Sequence, residues 1–108
     1  MSPLQRSLKY LRDQGWTVEK CETWNPYSKT RHDLFNAFDL VALHASYVGV
    51  LGIQVTSGSN VAARVKKLEE TPVMPLWKQC GNRAHVHGWR KTGPRGKAKH
   101  WTVRVVAV

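Results

Sequence analysis

The chain has 108 residues, enough for one domain spanning residues 1–108 with a single modest core and too few for two. Its 42% hydrophobic fraction is that of a globular protein and excludes a wholly disordered chain. Residues 40–55 are mostly apolar, but they are too few to cross a bilayer and are interrupted by His44, Ser46, two glycines and Gln54, so no membrane helix is expected.

In chain order, "SPLQRSLKYLRDQG" predicts an opening helix. Ser2 suits the cap, Pro3 the first helical position, and Gln5 completes a capping-box spacing. Leu4, Leu8 and Leu11 share one face, and Gly15 supplies a stop. Residues 16–24, "WTVEKCETW", predict a strand, and "NPYSKTRHD" (25–33) an exposed basic loop. The β-branched runs "FDLVALH" (38–44) and "VGVLGIQVT" (48–56) predict two central strands paired as a hairpin. Residues 57–60 form a turn, and 61–70 a helix whose inner stripe is Val61, Val65 and Leu68. A further helical turn is expected at 75–81, then strands 84–91 and 100–108 joined by "TGPRGKAK". The order α-β-β-β-α-β-β predicts an α+β domain with a central mixed sheet flanked by helices. Cys21 and Cys80 lack metal-ligand spacing and are expected to be reduced core thiols. The N-terminus carries no signal pattern, so an intracellular protein is expected.

Seventeen Lys/Arg against seven Asp/Glu give a net charge of +10, and the excess is lopsided. Residues 59–108 hold eleven basic and two acidic side chains. Such a field draws polyanions, so nucleic acid is the leading partner and an acidic protein the alternative. Arg90, Lys91, Arg95, Lys97 and Lys99 lie on or beside the final hairpin and are candidate phosphate contacts. Arg31, in the loop leading to the first central strand, is another, unless it pairs with Asp33 on the surface. Trp89 is expected in the core, and His85 and His87 in structural or surface roles.

Asp39 poses the sharpest question, because a lone carboxylate in an apolar run is costly unless a cation or donors satisfy it. Gln54 and Thr56 are two apart on the neighbouring strand and point to one side. Asp39, the Gln54 amide oxygen, the Val55 carbonyl and Asp33 would together make an oxygen set that Mg²⁺ or Mn²⁺ accepts. Asp33 is read either as that third acid or as a turn cap.

The element order, with Asp39 in "FDLVAL" and Gln54 in "IQVT", resembles the PD-(D/E)XK nuclease superfamily, in particular small resolvase-like or phage nuclease-like members. The resemblance implies a restriction-endonuclease-like core and metal-dependent cleavage of DNA, branched or junction DNA included. It further implies that Asp39 and Gln54 are metal ligands and makes a homodimer an expectation. Thr56 stands where that family usually has a water-activating lysine. Lys66 or Lys67 is therefore a candidate for a migrated lysine, with Arg64 and Asn60 as rivals; Asn60, Arg64 and Lys67 are also candidate DNA contacts. The missing lysine leaves a second reading open, a degenerate relative that binds nucleic acid without cutting it.

Overall fold

The computed structural model describes residues 1–21, 23–96 and 99–108, and of Thr23 and Arg31 the backbone alone. Helix α1 (Pro3–Asp13) begins as its sequence requires. The Ser2 hydroxyl accepts from the Gln5 N–H at 3.2 Å, and the Ser2 N–H donates to Gln5 Oε1 at 3.3 Å. Gly15 follows the helix at φ +88°, a left-handed position that glycine takes without steric cost.

Five strands form one mixed sheet in the order β1 (Thr17–Lys20), β4 (Leu40–Leu43), β5 (Leu51–Ser57), β6 (Arg83–Thr92) and β7 (His100–Ala107). The expected β4–β5 hairpin is present, pairing Leu40 with Ile53 and Ala42 with Leu51. β5 and β6 are parallel, with Thr56 opposite Gly88, and β6 and β7 are antiparallel. A parallel pair needs a crossover, and residues 58–82 supply one: a 3₁₀ turn (Gly58–Asn60), helix α2 (Val61–Glu69) and helix α3 (Met74–Gln79). The chain is thus a mixed α+β domain.

Strand alternation sorts the core into two layers. Leu11 of α1 packs with Val18, Leu40, Ala42, Leu51 and Ile53 on one face. Val61 and Leu68 of α2 and Met74 and Trp77 of α3 pack with Phe38, Ala84 and Val86 on the other. Trp89 is core, as expected. Its indole N–H donates to Ser7 Oγ at 2.7 Å, and the same oxygen lies 2.9 Å from His87 Nδ1. His87 is therefore structural.

Three expectations are corrected. The segment 16–24 is not one strand: β1 ends at Lys20, and β2 (Thr23–Asn25) pairs with β3 (Thr30–His32) in a separate two-stranded sheet where a loop was expected. There the Asn25 side chain accepts from the Tyr27 N–H and builds a tight turn that lets the flanking residues pair. Asp39 is not inside a strand but in the bend that precedes β4. The free thiols are not core groups, since Cys21 is half-buried and Cys80 exposed.

Gly52 shows how tightly the loop before Asp39 is seated. A Cβ at this position would lie 2.5 Å from the Phe38 ring, so the ring rests directly on the β5 backbone. We expect Gly52→Ala to lower stability by about 1–3 kcal/mol through overpacking. Urea unfolding measures this, and an unchanged midpoint would show that Phe38 is not locked there.

Candidate functional site

The ladder between β4 and β5 stops at Asp39, and the aspartate itself takes over the pairing. Its N–H donates to Ile53 O at 2.9 Å, its carbonyl accepts from the Cys21 N–H at 2.9 Å, and its carboxylate accepts from the Val55 N–H at 2.7 Å. The bend thus turns a side chain that an unbroken strand would hold over the sheet toward the open end of β5. Asp33, at the start of the same loop, brings its carboxyl within hydrogen-bonding reach of Asp39.

These groups line a pocket of about 520 Å³ with Ser2, Pro3 and Leu4 at the start of α1, Thr56 and Ser57 at the end of β5, and Arg64 from α2. Gly88 helps to place the arginine. A Cβ there would come 2.1 Å from Val61 Cγ2, so the bare backbone lets the first turn of α2 settle on β6 beside Thr56. Arg64 lies three residues on, one helical turn along.

Burial pushes the Asp39 carboxyl up to about 6 from 3.8; the Val55 hydrogen bond opposes this, the charge and hydrogen bond of Asp33 add to it, and the Arg64 guanidinium opposes it. A carboxyl held up in this way is stabilised by a proton or by a cation.

Gln54 is on the same side of β5 as Thr56, as its spacing implies, and it is only 1% exposed. Neither of its amide atoms has a hydrogen-bond partner among the described residues. Gln54 is not one of the residues that line the pocket; it precedes Val55 and Thr56, which do line it, and its orphaned amide is a buried hard-oxygen candidate. Among the described residues no group of three or more His, Cys, Asp or Glu converges, so any cation held here would rely on Asp33, Asp39 and neutral oxygens. That is within the habits of Mg²⁺, which takes one or two carboxylates and fills the rest with water and phosphate oxygens. The residues present fit such an ion.

The other sequence candidates are dispersed. Lys66 and Lys67 do not reach the pocket but line a separate groove with Phe35; Arg64 is the cation that faces Asp39, because burying Val61 and Leu68 turns that side of α2 toward the carboxyls. Asn60 Nδ2 donates to Ser57 Oγ at 3.0 Å and is held in the turn before α2. Arg90 and Arg104 line a hollow of about 300 Å³ beside Gly58, next to the pocket-lining Ser57. The Lys91 ammonium lies 5.5 Å from the Trp101 ring centroid. Arg95 and Lys99 are exposed in the β6–β7 connection. Lys97 and the side chain of Arg31 lie outside the described residues.

Sequence reading missed Arg104 and Ser2. The alternation of β7 offered a signal for Arg104, since antiparallel pairing sets it opposite Gly88 and on the same face as Arg90. Nothing in the local pattern around Ser2 tells that the helix cap also forms a pocket wall. Comparison of the chain with family models, curated proteins and solved structures finds no match.

Proposed function

We propose that the chain is a metal-dependent endonuclease of the restriction-endonuclease-like class, hydrolysing DNA phosphodiesters with Mg²⁺ or Mn²⁺. The observation that carries this reading is the Asp33–Asp39 carboxyl pair, set with Arg64 and Thr56 in an open pocket. Asp39, Asp33, Gln54 and the Val55 carbonyl would hold the ion, which supplies Lewis-acid polarisation and an activated water near neutral pH. Asp39 is oriented by the Val55 N–H. Arg64 offsets the negative charge that accumulates on the transferring phosphoryl oxygens. The Thr56 hydroxyl orients water from the floor of the pocket. Arg90 and Arg104 hold the backbone beyond Ser57. Branched or junction DNA as substrate, and a homodimer placing two such sites on two strands, belong to the same proposal.

A second reading, nucleic-acid binding without cleavage, is favoured by one observation: among the described residues no lysine lines the pocket. Duplex, single-stranded and four-way DNA incubated with Mg²⁺, Mn²⁺ or EDTA separates the two. Cleavage by the wild type that disappears in EDTA and in Asp39→Ala is the expected result. Salt-sensitive binding with intact DNA under every condition replaces the first reading by the second.

A further inference from the structure

The loop that carries the two acids also carries an aromatic ring in an expensive place. Leu34 and Phe38 exchange backbone hydrogen bonds of 3.1 Å in each direction, which pinches off a tip at residues 35–37. Phe35 and Asn36 both sit at φ +55°. Asparagine tolerates that left-handed conformation, whereas phenylalanine adopts it at a cost of about 1–2 kcal/mol. The strain is not matched by deep burial, since Phe35 is 56% exposed and its ring makes an edge contact with Trp77 at 6.4 Å between centroids. Strain of this kind persists where the residue serves something outside the fold.

The surroundings say what that is. Phe35 forms one wall of a groove of about 720 Å³ that α2 also lines, with the exposed Lys66 and Lys67 along it and the Glu70 carboxylate at the end of the helix, so the two lysines leave a net positive lining. A flat apolar ring beside two ammonium groups complements a nucleobase with its flanking phosphates, and the net charge of +10 favours the same polyanion. Two residues of chain, at most about 7 Å, separate Phe35 from Asp33. A base held here would therefore neighbour a phosphate at the carboxyl pair.

We infer that Phe35 is a stacking wedge for one unpaired nucleobase, with Lys66 and Lys67 on the adjoining phosphates, so that the site selects DNA in which a base near the bound phosphate is already out of the helix. This rests on the nuclease reading and sharpens it: stacking inside an intact duplex leaves no base face for Phe35, while a bulge, gap or branch provides one.

The experiment compares binding of a labelled duplex with the same duplex carrying a single-base bulge, at low salt in EDTA so that no hydrolysis intervenes. The wild type is expected to prefer the bulged DNA by about tenfold or more, the range that base–aromatic stacking provides. Phe35→Ala is expected to erase the preference while keeping its affinity for plain duplex, and Phe35→Trp to retain it. Phe35→Gly, free of the backbone strain, is expected to melt no lower than wild type and still to lose the preference, which separates a binding role from a structural one. Equal binding of both DNAs by the wild type, or an undiminished preference in Phe35→Ala, overturns the wedge and leaves the nuclease reading standing. A wild type that binds neither DNA overturns both.

Discussion

In EDTA at pH 7.5, Asp39→Asn is expected to melt several degrees above the wild type, and its melting should no longer respond to Mg²⁺. The reason is the environment of the carboxyl. Burial, reinforced by Asp33, pushes Asp39 up to about 6 from 3.8, so the folded protein binds this proton more tightly than the unfolded chain. The associated stability is complete below about pH 4 and is lost as the pH rises through 6. At pH 7.5 the ionised group opposes folding by at most about 3 kcal/mol, nearer 2 once solvent screening is included. Asparagine removes the charge and keeps an oxygen for the Val55 N–H. A divalent cation that binds only the folded wild type restores the lost stability, by about 2.7 kcal/mol at a hundred times its Kd. On the nuclease proposal the same substitution should reduce cleavage by at least about 10²–10³, the usual consequence of deleting one preorganised electrostatic contact. Differential scanning with and without Mg²⁺ reads the first effect and a nicking assay the second. A variant that melts lower than wild type, or that keeps the Mg²⁺ shift, rules out Asp39 as the strained ligand.

What the sequence made legible is what local chemistry controls. Ser2, Pro3 and Gln5 announce a helix start by residue type alone, and the structure closes the capping box they imply. The apolar alternation of 48–56 placed β5, and its spacing put Gln54 and Thr56 on one side. The rest depended on non-local geometry. Asp39 reads as a strand residue because its neighbours are apolar, yet it bends the chain because its own carboxylate accepts the Val55 N–H where ladder pairing ends. The cation near it was sought at Lys66 and Lys67 because lysine was the expected type; Arg64 occupies the position because burying Val61 and Leu68 fixes the rotation of α2. Phe35 gave no warning, since no propensity places an aromatic residue at positive φ. The pair β2–β3 was hidden by turn residues that serve both a loop and a hairpin.

From pH 7 to 4.5 the wild type is expected to hold a nearly constant unfolding free energy, whereas Asp39→Asn should lose up to about 3 kcal/mol over the same interval. The hidden slope comes from His87, which is 1% exposed on the α1 face of the sheet. The Trp89 indole can only donate, so Ser7 Oγ accepts from it and gives its own proton to His87 Nδ1. This leaves a neutral imidazole with its proton on Nε2, set edge-on to the Tyr10 ring at 5.6 Å. Burial, and secondarily His85, pull His87 down to about 4 from 6.5. Its folded affinity for a proton is thus below its unfolded one. The stability this gives is complete above about pH 6.5 and is lost as the pH falls toward 4, the reverse of the Asp39 effect. At 1.36 kcal/mol per unit each contribution is of order 3 kcal/mol before screening, and between about pH 4 and 6 the two oppose each other. Neutralising Asp39 unmasks the histidine, and Asp39→Asn combined with His87→Gln, which keeps an acceptor for the Ser7 hydroxyl, should be flat again. Ser7→Ala strands both partners in a buried site and is expected to cost about 2–4 kcal/mol at every pH. Urea unfolding of the wild type and the three variants at pH 7, 5.5 and 4.5 resolves the slopes. An Asp39→Asn profile as level as that of the wild type would mean that His87 takes up its proton in the folded protein as readily as in the unfolded chain.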